Sequence, residues 1–368
     1  MSGFDAPYSR TERMLHDLAM GQIDLQRALS GLEDRTVARR FAALPAERPV
    51  FVTSLPRAGT TLTLEVLCED PVFVTHSYRN MPFLLCPVFW DSLSGGFRKT
   101  GQARERAHGD GMSVSYDSVE AFEEVIWRQF WPDHYLPDRI APWTAAEAAG
   151  ESADAFVAFL RAHVRKLVGL ARRRRGDAAP ARYVSKNNGN IARLAFLTRA
   201  MPDAVVLAMF RDPLAHVGSL VRQHDNFLAL HAKDDFARRY MESIGHYDFG
   251  AALRPVDFDG WRDGPGVGLS PLTADFWAEY WIAAFGRALD SADERVRFVS
   301  YDRLCAAPQS GLGALADTIG LGAESPVRAQ GARFRSPTPY AADRLGLDPA
   351  RLERAQALHA RLLARSII

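Results

Sequence analysis

Pro49-Val-Phe-Val-Thr-Ser-Leu-Pro-Arg-Ala-Gly-Thr-Thr61 is the stretch that decides the fold of this 368-residue chain. The apolar, β-branched run at 49–53 predicts a buried strand, and 62–68 has the apolar spacing of a helix. The small, polar and basic residues between them predict a tight loop. Such a loop aims backbone N–H groups and a helix N-terminus at an anion, and Arg57 adds a permanent positive charge. The stretch therefore predicts an α/β protein that binds a phosphate or a sulfate.

The loop differs from the phosphate loop of nucleoside-triphosphate enzymes, which has the pattern Gly-x-x-x-x-Gly-Lys-Ser/Thr. Ser54 and Thr60 replace its first Gly and its Lys, which a kinase needs on the β- and γ-phosphates. The stretch instead resembles the 5′-phosphosulfate loop of sulfotransferases, which use 3′-phosphoadenosine 5′-phosphosulfate (PAPS). Its Pro-Arg-x-Gly-Thr-Thr form is similar to that of the Golgi tyrosine sulfotransferases and of many bacterial members. The resemblance implies that the sulfuryl donor is bound by Pro56, Arg57, Ala58, Gly59, Thr60 and Thr61.

A second block, at 182–224, again alternates strands and helices. It predicts strands at 182–185 and 204–210, each followed by a helix. Arg211 ends the second of these strands, and Ser219 follows eight residues later on a helix that opens near Pro213. A guanidinium and a hydroxyl suit a dianionic phosphate, although Arg211 could instead form an ion pair with Asp212. In the resemblance, Arg211 and Ser219 match the pair that holds the 3′-phosphate of the nucleotide.

Lys186 lies between the blocks and matches a sulfotransferase lysine that reaches the bridging oxygen of the donor. A fixed cation there stabilises the charge that develops on the leaving group. Cytosolic sulfotransferases follow this lysine with x-His, and that His is their general base. Asn188 takes the His position here. Because Asn cannot accept a proton at neutral pH, the base must come from another part of the chain.

The sequence leaves the identity of this base open. The tyrosine sulfotransferases use a Glu downstream of the loop arginine, but the matching region, 74–82, has no carboxylate, and His76 is its nearest titratable residue. His108, near Asp110 and between glycines, is the second imidazole. The ordinary pKa of His, near 6.5, suits proton abstraction. The remaining candidates are Asp110, Glu120, Glu123 and Glu124.

The resemblance covers about residues 49–325, with specific motifs only at 54–61, 186 and 211–219. Towards the C-terminus, 297–300 predicts a strand that leads into Tyr301-Asp-Arg-Leu, similar to a structural segment of sulfotransferases. Arg333, Arg335 and Ser336 fall where the last basic loop of the family closes over the nucleotide.

Composition excludes several other classes of protein. The 45 basic and 44 acidic residues nearly balance, which gives no reason to expect nucleic acid or an anionic membrane as a partner. Three cysteines without metal-ligand spacing favour a reducing compartment and no metal site. The chain has no signal-peptide core at its start and no run of about twenty apolar residues, so it predicts a soluble cytoplasmic protein with no membrane anchor. With that loop form, a bacterial source is favoured.

We expect one domain, 1–368, with a P-loop-like parallel sheet flanked by helices. Amphipathic helices are predicted within 1–45, around 10–20 and 25–44, where they pack on the core or on a partner subunit. An aromatic insertion at 78–150 and a second insertion at 223–271 are expected to shape the acceptor site. Within the second, 254–271 is rich in Gly, Pro and Asp and predicts a loop or lid.

The leading hypothesis is a PAPS-dependent sulfotransferase. It would move a sulfuryl group to a hydroxyl of a small-molecule, lipid or carbohydrate acceptor and release 3′,5′-ADP. Arg57 and Lys186 would stabilise the leaving group, and His76 or His108 would take the acceptor proton. Because the cations are side chains, no metal is expected. A P-loop small-molecule kinase and a catalytically silent nucleotide-binding protein are the alternatives, and a homo-oligomer is left open.

Overall fold

The computed structural model describes residues 10–94, 104–105, 113–114, 122–336 and 340–368. The strands are β1 Val50–Thr53, β2 Phe73–Val74, β3 Arg104–Glu105, β4 Ser113–Val114, β5 Arg182–Lys186, β6 Val205–Phe210 and β7 Val296–Ser300. The α-helices are α1 Arg10–Gly21, α2 Ile23–Arg35, α3 Thr60–Leu67, α4 Pro87–Ser94, α5 Glu124–Phe130, α6 Glu151–Arg175, α7 Leu194–Ala200, α8 Pro213–Lys233, α9 Asp235–Ser243, α10 Ala274–Ser291, α11 Tyr301–Ala306, α12 Pro308–Thr318, α13 Ala342–Leu345 and α14 Pro349–Arg365. Short 3₁₀ helices span Arg39–Phe41, Tyr78–Asn80, Pro132–His134, Ala146–Ala148, Asn188–Arg193, Gly250–Ala252, Phe258–Asp263 and Pro326–Arg333.

Five of the described strands form one parallel sheet in the order β2–β5–β1–β6–β7. In the central strand β1, Val52 lies opposite Lys186 of β5, and Thr53 lies opposite Ala208 of β6. Since parallel strands end at the same edge of a sheet, the segments that follow β1, β5 and β6 meet there. The α/β fold with a parallel sheet flanked by helices, predicted from the sequence, is confirmed.

Side chains alternate between two apolar cores, one on each face of the sheet. Phe51 packs into the larger core, whereas Val50 and Val52 pack into the smaller one. In β6, Phe210 joins the larger core and Met209 the smaller. A parallel sheet that is covered on both faces requires such continuous apolar strands, and this is why short runs without polar alternation could be recognised in the sequence.

Two predicted helices are shorter than expected. The helix predicted at 25–44 ends at Arg35, where the N–H of Ala38 bonds back to the carbonyl of Glu33. The helix predicted after the strand at 182–185 begins as the 3₁₀ helix Asn188–Arg193. The side chains of Asn190 and Arg193 donate hydrogen bonds to two buried carboxylates. The 3₁₀ helix that contains these residues has a tighter turn than an α-helix and leads into α7.

The two insertions differ in what they contribute to the molecule. The described aromatic side chains of 78–150 mostly enter the core, and Trp127 packs against Phe156 at 4.1 Å between ring centroids. In the second insertion, Trp261 is buried and stacks on Tyr280 at 5.3 Å. The 254–271 segment is therefore anchored by a large ring, and it contains the 3₁₀ helix Phe258–Asp263, interrupted by left-handed Asp259.

The described helices include none that is both long and apolar enough to cross a membrane. The basic run at 172–175 occupies the last turn of α6, which ends at left-handed Gly176. Arg172 and Arg175 donate to backbone carbonyls of neighbouring segments, and Arg174 pairs with Asp91. These contacts give the run a structural role at the helix end.

Candidate functional site

The loop between β1 and α3 has an unusual backbone. Arg57 has a φ of 73° and Gly59 a φ of 79°, so both lie in the left-handed region. A residue other than Gly seldom adopts this conformation, and such strain persists only where surrounding contacts enforce it. The loop leads into α3, which begins at Thr60. The N–H groups in the first turn of this helix have no carbonyl partner within the helix.

Tyr301 packs directly against Gly59 and leaves no room for a side chain there. A Cβ on Gly59 would lie 2.1 Å from Cε2 of the Tyr301 ring. The glycine is therefore required for two reasons, its left-handed φ and the close approach of the ring.

Gly59→Ala is expected to lower the free energy of unfolding by more than the roughly 1–2 kcal/mol that a left-handed alanine costs, because Tyr301 must also move. Gly176→Ala is the matched control, since Gly176 has a similar φ of 72° but a Cβ added to it would meet nothing within 4 Å. Urea unfolding of both variants measures the difference. Equal losses in the two variants would show that the ring contact carries no cost.

His216 supports the loop from α8. It contacts the carbonyl oxygen of Pro56 through Nε2 at 2.7 Å, and its Nδ1 accepts a hydrogen bond from Trp281 at 3.2 Å. Burial, with the charges of Arg211 and Arg57 nearby, lowers the pKa of His216 to about 3. The ring is therefore neutral, and because Trp281 can only donate, Nε2 carries the hydrogen that Pro56 accepts. Sequence reasoning missed this role, since His216 looks like any histidine on a helix.

The structure brings Arg57 together with the two residues predicted to bind the 3′-phosphate. The Nε of Arg57 lies 3.4 Å from Oγ of Ser219, and Nη1 of Arg211 donates to the carbonyl of Arg57 at 2.8 Å. Arg211 forms no ion pair with Asp212, which instead caps α8 by accepting from the N–H of Ala215. The alternative of a structural Arg211–Asp212 pair is thus not what the structure shows.

Several buried polar atoms at this edge lack a hydrogen-bond partner among the described residues. Nε of Arg211 and Oγ of Ser54 are two of them. Arg211 is only 7% exposed and Ser54 is fully buried. A buried donor without a partner costs free energy, and a bound anion would supply the missing acceptor for these two atoms. The residues present therefore fit a phosphate-bearing ligand.

The predicted loop residues are placed together at the sheet edge. Pro56, Ala58 and Thr60 are buried, and Arg57, Gly59 and Thr61 are partly exposed. Thr60 and Thr61 form the first turn of α3.

An open cleft of about 570 Å³ lies beside the loop. Its polar end is formed by 54–56, after β1, and by 186–189, where β5 ends. The second insertion contributes 245–248 and 253–256, the first contributes Glu124 and Ile140, and Tyr280 of α10 completes the wall. Lys186 is 9% exposed and lies at the polar end. The cleft thus joins the predicted catalytic lysine to a pocket of mixed polar and apolar side chains built mainly by the second insertion.

Glu124 is held by a buried network at the edge of this cleft. It forms an ion pair with Arg193 at 2.5 Å and accepts hydrogen bonds from Asn187 at 2.7 Å and from Tyr135. Burial alone would raise the pKa of Glu124, but Arg193, Tyr135 and Asn187 together lower it. Glu124 is therefore an ionised anchor that fixes the segment after Lys186, and none of its lone pairs is left for an acceptor proton.

The carboxylate of Glu123 is also buried and is hydrogen-bonded to neighbouring side chains. It accepts hydrogen bonds from Ser185 at 2.5 Å, Asn190 at 2.9 Å and Trp127 at 3.0 Å. It does not line the cleft. The sequence offered both carboxylates as candidate bases, and the structure gives them positioning roles around β5.

His76 lies away from the cleft. It is 1% exposed, with Nε2 at 2.8 Å from Nε2 of His163 and Nδ1 at 3.1 Å from the hydroxyl of Tyr183. Burial lowers its pKa to about 4. A general base must come within hydrogen-bond reach of the proton it takes. This placement argues against the base role predicted for His76.

The other predicted candidates lie outside the described residues or make other contacts. His108, Asp110 and Glu120 fall outside the described residues. Arg333 forms ion pairs with Glu65 and Glu69 around α3, and Arg335 and Ser336 are exposed. Within the described ranges, no three His, Cys, Asp or Glu side chains lie close enough together to hold a metal ion.

Comparison with known proteins connects this arrangement to one family. The model of the Sulfotransferase family matches residues 49–253, more than half of the 368-residue chain. The structure is similar to that of sulfotransferase STF9 from Mycobacterium avium, with a TM-score of 0.52 and 16% identity over 98% of this chain and 87% of that chain. For sulfotransferase STF1 from Mycobacterium tuberculosis H37Rv, the TM-score is 0.49 and the identity 16%, over 97% and 88% of the two chains. At these identities the likeness to solved structures shows the fold alone. No curated protein matches the sequence.

Proposed function

This chain belongs to the sulfotransferase family, and on that premise we propose that it transfers a sulfuryl group from PAPS to a hydroxyl group. The observation that carries the proposal is the cluster of Arg57, Arg211 and Ser219 beside the loop. The unpartnered Nε of Arg211 gives this cluster a buried donor for an anion. Two phosphate-binding elements from separate parts of the chain suit a nucleotide with phosphates at both ends of its ribose.

The residues divide between binding and chemistry. The N–H groups at the start of α3 and the guanidinium of Arg57 would hold the 5′-phosphosulfate. Arg211 and Ser219 would hold the 3′-phosphate. Lys186, which faces the cleft from the end of β5, would stabilise the negative charge that grows on the leaving phosphate. The acceptor hydroxyl would approach through the cleft, on the side of the loop where Lys186 lies.

The walls of the cleft combine apolar side chains with a few polar groups. Ile140, Leu253, Val256 and Tyr280 line it, together with Asp248 and Arg254. Apolar walls with a few convergent polar groups are typical of sites for small organic molecules. We propose a phenol or an aliphatic alcohol as the class of acceptor.

Removing Arg211 is expected to abolish the preference for a 3′-phosphate. In the wild-type protein, 3′,5′-ADP should bind much more tightly than 5′-AMP, because only the former can accept hydrogen bonds from Arg211 and Ser219. Arg211→Met should weaken binding of 3′,5′-ADP about tenfold or more, since a hydrogen bond to a charged group contributes about 1.5–3 kcal/mol. Binding of 5′-AMP should weaken less, because it loses only the support that Arg211 gives the loop through the carbonyl of Arg57. Isothermal titration calorimetry with both ligands measures the ratio.

The matched control for this ratio is Arg173→Met, an exposed arginine in the last turn of α6. It should leave both affinities unchanged. Equal affinities of the wild-type protein for 3′,5′-ADP and 5′-AMP would contradict the proposed donor. Tight binding of ATP with magnesium instead would favour a kinase, and 3′,5′-ADP binding without transfer to any phenol or alcohol would favour a silent nucleotide-binding protein.

We also infer a cytoplasmic location from the thiols. Cys68, Cys86 and Cys305 are all unpaired. Burial raises the pKa of Cys68 and of Cys86 to about 12, so both thiols stay protonated and unreactive. Unpaired thiols are typical of proteins from reducing compartments.

A further inference from the structure

We propose that Asp248 is the general base of the transfer reaction and that Asn188 positions it, an inference that rests on the proposed function. Asp248 belongs to the second insertion, and Asn188 follows the strand end that carries Lys186. Asn188 donates from Nδ2 to Oδ2 of Asp248 at 2.9 Å. Asp248, Asn188 and Lys186 line the same cleft. A carboxylate thereby lines the same cleft as the proposed leaving-group cation.

Of the two carboxylates that line the described cleft, only Asp248 keeps an oxygen available. Both oxygens of Glu124 are occupied, one by Arg193 and Tyr135 and the other by Arg193 and Asn187. Asp248 accepts one side-chain hydrogen bond from the described residues, on Oδ2. Its Oδ1 is left for a hydroxyl in the cleft, and the side chain is partly exposed.

Asn188 is held in an orientation that serves Asp248. Its backbone carbonyl accepts a hydrogen bond from Oγ1 of Thr53 at 3.3 Å, which ties it to the end of β1. A carboxylate can only accept, so the amide must turn Nδ2 towards Asp248. Its Oδ1 is buried and has no partner among the described residues. The side chain at the position of the cytosolic sulfotransferase histidine therefore cannot take a proton itself but orients a group that can.

The proposed step balances without a further reactant. Oδ1 of Asp248 takes the proton of the acceptor hydroxyl while the acceptor oxygen forms a bond to sulfur. The bond between sulfur and the 5′-phosphate oxygen breaks, and Lys186 stabilises the charge left on that oxygen. The products are a sulfate ester and 3′,5′-ADP, and Asp248 returns its proton to water.

Other titratable and charged groups face Asp248 across the cleft. They are Lys186, Glu124, His246, Tyr247, Arg254 and Tyr280. Burial raises the pKa of Tyr280, and the charge of Asp248 adds to that effect, so the phenol stays neutral. Arg254 stacks on the ring of Tyr247 at 4.5 Å. His246 is the one group of this set that could replace Asp248 as the base, and the test must separate the two.

The test compares phenol with 4-nitrophenol as acceptors of the sulfuryl group from PAPS at pH 8. Phenol keeps its proton at this pH and needs a base, whereas 4-nitrophenol is largely ionised and needs none. Asp248→Asn should lower kcat/KM for phenol about a hundredfold or more and that for 4-nitrophenol much less. His246→Gln also changes a residue that lines the cleft, so its readout is the ratio of the two kcat/KM values, which should stay near that of the wild-type protein. If the role of Asp248 were purely structural, Asp248→Asn would lower kcat/KM by the same factor for both acceptors.

The pH profile provides a second readout. With a carboxylate base, kcat/KM of the wild-type protein for phenol should rise through the acid range and level off by about pH 6, whereas a histidine base would give a midpoint near 6.5. A midpoint near 6.5 that disappears in His246→Gln would overturn the proposal.

The failure of the base assignment and that of the proposed function are distinguishable. 3′,5′-ADP should raise the melting temperature of Asp248→Asn as much as that of the wild-type protein, since the residue lies on the acceptor side of the loop. If the wild-type protein transfers sulfuryl groups and Asp248→Asn does so equally well, the base assignment alone fails. If the wild-type protein neither binds 3′,5′-ADP nor uses any of a panel of phenols and aliphatic alcohols, the proposed function fails and the base assignment with it.

Discussion

Replacing Lys186 with Met will lower kcat about a hundredfold or more. The residue lies at the polar end of the cleft and is 9% exposed, so charge on the proposed leaving phosphate would have little water to stabilise it. Met has nearly the same length but no charge, so the variant removes the cation and keeps the packing. Arg57→Ala should cause a loss of similar size, because this guanidinium lies on the loop itself. Both are measured as steady-state release of 3′,5′-ADP from PAPS with phenol.

The chain offers a matched control for the lysine. Lys233 is exposed near the end of α8, far along the helix from Ser219, and Lys233→Met should keep wild-type turnover. Lys186→Met should also keep the wild-type melting temperature to within a few degrees, which would show that the site is folded. Near wild-type turnover in a folded Lys186→Met protein would refute the role of this cation.

Replacing Arg193 with Met will lower the free energy of unfolding by about 3–5 kcal/mol, because it leaves Glu124 as a buried, unpaired charge. The two side chains are 0% and 4% exposed and lie 2.5 Å apart. The guanidinium also lies over the rings of Trp127 and Trp143, at 4.2 and 4.0 Å from their centroids. Urea unfolding at pH 7.5 measures the loss.

This loss should depend on pH. The folded-state pKa of Glu124 lies below its ordinary value of 4.5, so the wild-type pair stabilises the fold fully above that value and loses its effect as the pH falls through the folded pKa. In Arg193→Met the carboxyl group can instead be protonated on acidification. The difference between the two proteins should therefore shrink from neutral pH towards pH 4.

The control for this prediction is an ion pair at the surface. Arg295 and Asp293 are 32% and 37% exposed, and Arg295→Met should cost less than about 1 kcal/mol at any of these pH values. If Arg193→Met cost no more than Arg295→Met, the Glu124 network would not anchor the segment after Lys186.

Local patterns in the sequence were sufficient to predict which segments meet at the edge of the parallel sheet. The strand, loop and helix of 49–68 follow one another along the chain, and Arg211 and Ser219 are eight residues apart. Because parallel strands end at one edge, two such segments could be expected to meet without knowledge of any contact. The structure does bring Arg57 and Ser219 within 3.4 Å of each other.

Contacts between distant residues could not be predicted in this way. Asn188 and Asp248 are 60 residues apart, Glu124 and Arg193 are 69 apart, and His216 and Pro56 are 160 apart. No periodicity relates such pairs, since each depends on how insertions fold back over the sheet. One signal was available: two adjacent carboxylates, Glu123 and Glu124, in a strongly aromatic stretch that must be buried, where ionised groups require partners.

The strained loop after β1 has a thermodynamic consequence for ligand binding. Hydrogen bonds from His216 and Arg211 and the ring of Tyr301 fix its backbone before any nucleotide arrives. The conformational entropy of the loop is therefore lost once, when the protein folds, and is not lost again each time a ligand binds. Binding of a ligand should then require little rearrangement of this loop, and the loop should keep the same conformation after the product dissociates.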